Sequence, residues 1–307
     1  MKVSCIACRL QKILNTLKAS VQECGAERFA GELYIFVENT DCRGDVTLEK
    51  QGIRVLEKLF DILSFLAARH DYAGIKEIAE GTGLSRTTVH RVLATCEEDY
   101  VVLKDSIGRY RIGPQSLAWA NSYQIQTGLA KVSRHHLKEL LQDVGETIHL
   151  FIYEKGEAFH LEKMHSYNVA GLDSRIGSRL ELYSTSAGRA ILTALPKKEF
   201  EAYLSSRELF PRTEWTVVDK DVFRKLIENA RKKGYAEENQ ENEIGVRCVG
   251  AAILGKDGYP VGAVSVTGPV FRFTDDKVET TGKRVLATAR MISYQLGYTT
   301  NGGPAAI

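Results

Sequence analysis

Residues 85–91, SRTTVHR, concentrate side chains that can read a nucleic acid. The guanidinium of Arg86 or Arg91 offers a fork that meets guanine O6 and N7 or straddles a phosphate. Thr87 and Thr88 can donate to phosphate oxygens or pack on a thymine methyl, and the imidazole of His90 has similar reach. Lys104, Arg109 and Arg111 follow in GRYRI and just before it. Alternation along a strand puts Arg109 and Arg111 on one face with Tyr110 on the other, which suits phosphate or minor-groove contact. The plainer reading of all eight residues is an ordinary solvated face of charge. Neither basic–aromatic interleaving nor any stacking platform points to single-stranded nucleic acid or RNA.

Other reactive residue types form no set with a known chemistry. His135 and His136 share a helical stretch, while His149, His160 and His165 fall on strands or strand ends. His149 and His160 can become neighbours across a hairpin, but with Glu162 alone they define no acid–base pair. HExxH, GxSxG and a phosphate-binding P-loop are all missing, so no catalysis and no cofactor are expected. Four of the six cysteines, Cys5, Cys8, Cys24 and Cys42, crowd the start of the chain. Their thiolates would suit tetrahedral zinc, an iron–sulfur cluster or redox sensing, but a CxxC pair with spacings this permissive is more often incidental.

The elements that must position the reading residues are legible from periodicity. Residues 51–69 carry an apolar stripe at Ile53, Leu56, Leu59, Phe60, Leu63 and Leu66, which predicts an amphipathic helix. A short helix over 75–80 closes at Gly81-Thr82-Gly83. Ser85 then caps a helix over 86–97 through its side-chain oxygen, with Val89, Val92 and Leu93 turned inward. Strands at 101–103 and 109–112 pair around a turn at 105–108. Two helices, a tight turn and a hairpin at this distance make a winged helix-turn-helix, whose second helix docks in the major groove of double-stranded DNA.

A chain of 307 residues has room for a second domain with a substantial core. A formal charge of only +2 means that any DNA contact comes from a local patch. No apolar run approaches the roughly 20 residues needed to span a bilayer, and MKVSCIACRLQKI does not read as a secretory signal, so a cytoplasmic protein is expected. Residues 1–48 read as a Cys-containing extension, either a small added module or an over-extended start of the reading frame. The winged helix-turn-helix takes 49–113 and a linker helix 114–130, with a break at Gly128. From 131 to 298 the pattern is α+β. Strands at 147–153 and 158–164 join across a short turn, helices occupy 187–195, 199–205 and 219–233, strands 249–254 and 261–267 flank Asp257-Gly258, and a closing helix spans 275–296. The sheet is expected to be mainly antiparallel.

From about Gln51 to Leu296 the chain resembles the IclR family of transcription regulators. GLSRTTVHRVLATCEEDYV and GRYRIG resemble its winged-helix segment; ETIHL, YSTSAGRA, ENEIGVRCVGA and SVTGP resemble successive blocks of its effector domain. The resemblance implies a GAF-like C-terminal domain that binds a small, carboxylate or aromatic effector, and a homodimer or homotetramer on a palindromic operator. By motif it places the effector near Ser186, Ala187, Gly188, Glu238, Cys248, Ser265 and Thr267. Ser265 and Thr267, two apart on a strand, can offer hydroxyls to a carboxylate or carbonyl, and small residues at a helix start leave space near free N–H groups. Glu238 departs from the aspartate common there, and Arg189 from lysine. The acidic run Cys96-Glu97-Glu98-Asp99 must point away from phosphate.

Overall fold

The computed structural model describes residues 53–165 and 175–299. Helices α1 (Arg54–Ala67), α2 (Ile75–Thr82) and α3 (Arg86–Glu98) precede a two-stranded wing, β1 (Val102–Lys104) and β2 (Tyr110–Ile112). Ile62, Leu66, Ile78, Val89, Leu93, Val102 and Tyr110 form their common core. The start of α2 is fixed by Glu77, whose carboxylate accepts the Gly74 N–H at 2.8 Å. The start of α3 is fixed by Ser85, whose Oγ accepts the Thr88 N–H at 3.2 Å. A bridge from Ala73 to Tyr110 ties the turn before α2 to the wing. The expected helices and hairpin are all present, with strand ends moved by a residue.

Helix α4 (Gln115–Thr127) ends at Gly128, and α5 (Leu129–Val144) begins there. No residue of α4 is buried, and Leu117, Trp119 and Ile125 are exposed. Leu129 and Ala130, at the end of the expected linker, already belong to the core of the following layer.

That layer is a six-stranded sheet in the order β5-β4-β3-β8-β7-β6, with every neighbouring pair antiparallel. The strands are β3 (Thr147–Glu154), β4 (Glu157–Met164), β5 (Arg179–Leu180), β6 (Ala236–Asn239), β7 (Val246–Leu254) and β8 (Pro260–Pro269). Helices cover both faces. Ile148, Leu150 and Ile152 of β3 point to a core shared with α5 and with α9 (Asp275–Gln295). Phe151 and Tyr153 point the other way, to a core shared with α6 (Ser186–Ala194), α7 (Lys197–Ser206) and α8 (Lys220–Lys233). Period-2 alternation makes this division automatic. Strands β5 and β6 were not anticipated. AEEN of β6 has no apolar alternation, and it is extended because the edge of β7 pairs with it.

Candidate functional site

Helix α3 presents Arg86, Thr87, His90 and Arg91 on its exposed side, opposite Val89 and Leu93. Thr88 is engaged differently: its hydroxyl lies 2.9 Å from Ser85 Oγ, within the helix cap. On the wing, Lys104, Arg109 and Arg111 are all exposed. Tyr72 gathers the two arginines, which stand 5.9 and 5.2 Å over its ring. Arg111 Nε donates to the Tyr72 hydroxyl at 2.8 Å, and Arg109 Nε to Asp105 at 2.9 Å. The geometry therefore yields an exposed basic helix face and a pair of wing cations held in place by local partners. Sequence reading missed Tyr72, because nothing in its spacing links it to the hairpin.

The second site is built by strand register. Glu238 of β6 lies opposite Cys248 of β7, and Cys248 opposite Thr267 of β8. One pair along, Gly250 lies opposite Ser265, and Ser265 opposite His149 of β3. Two cross-strand rows thus carry polar groups onto the same face that is apolar further along at Phe151 and Ala263. The first turn of α6 lies against this face. A Cβ on Gly250 would come within 2.9 Å of the Ala187 nitrogen, so only glycine permits the approach. These elements enclose a cavity of about 430 Å³ lined by Ser186, Ala187, Glu238, Cys248, Ser265 and Thr267, together with His149, Phe151, His160, Thr185, Arg179, Glu181, Arg212, Asn242 and Glu243 among others.

Six of the seven residues expected at an effector site are therefore brought together. Gly188 is the exception and does not line the cavity. A Cβ there would meet the backbone of Leu182 at 2.3 Å, so its small size serves helix packing. Its N–H is bound by the cap residue Thr185 at 3.2 Å. Arg212 lies in none of the family-like blocks, and Asn242 and Glu243 fall within ENEIGVRCVGA without being singled out there; all three arrive on loops. Sequence reading did single out His149 and His160 as hairpin neighbours, and their rings stand 5.5 Å apart, edge to face.

The inner wall is polar but poor in charge. Burial, with His160, Lys163 and His165 adding repulsion, pushes His149 down to about 3. Burial and Lys163 push His160 down to about 4. Both rings are neutral at ordinary pH. Burial pushes Glu238 up to about 7, against hydrogen bonds from Asn242, Cys248 and Glu241 that hold it down. Glu238 Oε1 accepts the N–H groups of Glu241 and Asn242 at 2.6 and 3.1 Å, anchoring the loop that carries part of the wall. Burial also pushes the Cys248 thiol well up, so it is no nucleophile; it donates to Thr267 Oγ1 at 3.3 Å. The cationic lining groups Arg179 and Arg212 are exposed.

Beneath the wall, the Arg189 side chain is 1% exposed and pairs with Glu241 through both terminal guanidinium nitrogens; its Nε donates to the Tyr183 carbonyl at 2.7 Å and Nη1 also to that of Glu237 at 3.0 Å. Among the described residues no group of three His, Cys, Asp or Glu side chains could hold a metal ion. Cys5, Cys8, Cys24 and Cys42 lie outside the described residues. Among the described residues no helix is long and apolar enough to cross a membrane.

Comparison with known proteins places this geometry. Residues 55–105 match the model of the IclR helix-turn-helix domain. Residues 122–294 match that of the bacterial transcriptional regulator IclR C-terminal domain. The transcriptional repressor IclR of Escherichia coli is 25% identical over 264 residues, covering 85% of this chain and 94% of that protein. The regulator KipR of Bacillus subtilis is 28% identical over 225 residues, covering 73% and 90%. Among solved structures, the Thermotoga maritima IclR superposes with a TM-score of 0.70 at 33% identity, covering 80% of this chain and all of that one.

Proposed function

Because the chain belongs to the IclR family of DNA-binding, ligand-responsive transcription regulators, we propose that α3 and the wing read a palindromic operator while the cavity binds a small organic-acid or aromatic effector. The observation that carries this reading is the pair of cross-strand rows, Glu238–Cys248–Thr267 and Gly250–Ser265–His149, closed over by the start of α6. Hydroxyls of Ser186, Ser265 and Thr267 and the first N–H groups of α6 are suited to a carboxylate or carbonyl oxygen. An antiparallel sheet with a ligand cavity at one end of one face is consistent with a GAF-like effector domain.

In this reading Arg86, Thr87, His90 and Arg91 meet base edges and phosphates, Thr88 supports the cap, and Lys104, Arg109 and Arg111 contact the flanking backbone. A second copy supports the other half-site, and the unburied α4, with Leu117, Trp119 and Ile125 exposed, supplies surface for pairing. The effector acts as a switch through its different affinities for two arrangements of the paired reading heads.

Genome-wide mapping of bound DNA tests the proposal, with wild type beside Arg86→Ala/Arg91→Ala. Discrete peaks sharing an inverted repeat, lost in the double variant, are expected, and the adjacent genes nominate the effector. Peaks that survive the substitutions would remove α3 from the reading role.

A further inference from the structure

Tyr72 lies in the link between α1 and α2 and is half-buried. Its neighbour Ala73 is fully buried and exchanges both backbone hydrogen bonds with Tyr110 of β2, each 2.8 Å long. This bridge lays the link along the outer edge of the wing. In an antiparallel pair, directly opposed residues share a face and their neighbours take the other. Ala73 and Tyr110 therefore turn into the core, and Tyr72 turns out on the side of Arg109 and Arg111. The contacts agree. The Arg111 guanidinium stands 5.2 Å over the Tyr72 ring, and its Nε donates to the Tyr72 hydroxyl at 2.8 Å.

The two arginines are held by partners of different charge. Arg109 Nε donates to the Asp105 carboxylate at 2.9 Å, and the same carboxylate accepts the N–H groups of Ile107 and Arg109 at 3.0 and 2.8 Å. Much of the Arg109 charge is thus answered inside the wing turn. Arg111 is held by a phenol, which accepts a hydrogen bond without cancelling charge. Among the described residues no carboxylate pairs with Arg111; Nε takes one of its N–H donors and the terminal nitrogens keep the rest. A long exposed cation loses rotamer freedom when it meets a phosphate, and one already held loses less.

We propose that Tyr72 is a positioning residue for DNA binding: it holds the Arg111 guanidinium ready for a backbone phosphate, and Arg111 rather than Arg109 carries most of the wing's charge to the DNA. The inference rests on the reading head binding DNA, and the two can fail separately. Fluorescence anisotropy would follow the full chain on a labelled mixed-sequence DNA duplex over a series of salt concentrations. Arg111→Ala should reduce the slope of log affinity against log salt by about 1, the signature of one lost phosphate contact, and Arg109→Ala should reduce it by clearly less. Tyr72→Phe keeps the ring and loses only the hydroxyl. It should weaken binding about threefold to tenfold at every salt concentration and leave the slope unchanged, because the phosphate contact still forms but must first be ordered. In the Arg111→Ala background the same change should cost nothing further; in the Arg109→Ala background its full cost should return.

A Tyr72→Phe loss of the same size with and without Arg111 overturns the inference, since a tyrosine that merely shapes the head acts in both backgrounds. No loss in Tyr72→Phe overturns it too, as does a slope that falls as far in Arg109→Ala as in Arg111→Ala. If circular dichroism shows that Arg111→Ala does not fold, Arg111→Met, which keeps most of the aliphatic stem, takes its place in the cycle. A wild type that binds no duplex even at low salt overturns the DNA reading itself and this inference with it.

Discussion

Replacing Glu238 with glutamine should stabilise the fold at pH 8 and barely change it at pH 5. In the native chain, burial raises this carboxyl from an ordinary 4.5 to about 7. Below 4.5 both folded and unfolded chains hold the proton, and the group is neutral in the balance. As pH rises above 4.5 the unfolded chain releases its proton while the folded one keeps it, and stability falls until the folded carboxyl also ionises near 7. Each pH unit between the two values costs about 1.4 kcal/mol, about 3 kcal/mol in all. Glutamine keeps an Oε1 that can accept the Glu241 and Asn242 N–H groups and has no charge to bury. Urea denaturation followed by circular dichroism should therefore find Glu238→Gln about 3 kcal/mol more stable than wild type at pH 8. At pH 5 the gain should be under about 1 kcal/mol. Other titrating groups are common to both proteins and cancel in the comparison. Equal gains at the two pH values, or a loss at pH 8, would refute the argument that burial governs this carboxyl.

Arg189→Met leaves Glu241 buried without its partner and should destabilise by about 3–5 kcal/mol in urea melts; adding Glu241→Met should recover part of that loss. Gly188→Ala forces a Cβ against the Leu182 backbone and should cost about 1–3 kcal/mol, read as a lowered melting temperature. On operator DNA, Arg91→Ala should reduce the slope of log affinity against log salt by about 1 if the arginine neutralises a phosphate. If it reads guanine instead, the slope should hold while discrimination at one base position falls by about 1–3 kcal/mol.

The reading head was largely legible in the sequence because its signals are local. Ser85 lies three residues before the amide it caps, and Val89 and Leu93 repeat at helical spacing. The cavity was legible only through the family resemblance, because its parts come from separate strands, loops and a helix start spread between His149 and Thr267 and their meeting is set by register. Alternation puts Thr147, His149 and Phe151 on one face of β3. It does not say that α6 leaves His149 beside an open space while α7 and α8 help close the space around Phe151. Gly188 shows the reverse error, a residue type suited to ligand approach that is used for backbone approach. Arg212 and Asn242 lie on loops and carry no periodic signal at all.

Strand β3 has seven of its eight residues buried, and neither of its faces meets solvent along that length. His149 and Phe151 look from one face into the cavity, while Ile148, Leu150 and Ile152 are wedged on the other face against the core of α5 and α9. Such a strand works as a shared wall between two rooms. Close-packed interiors have few voids to absorb a displacement, so whatever pushes the wall from the cavity side must be felt on the other. The helix that receives the push, α5, follows α4 across the single residue Gly128. The chain therefore places the cavity one strand away from the helix that leads back toward the winged helix-turn-helix.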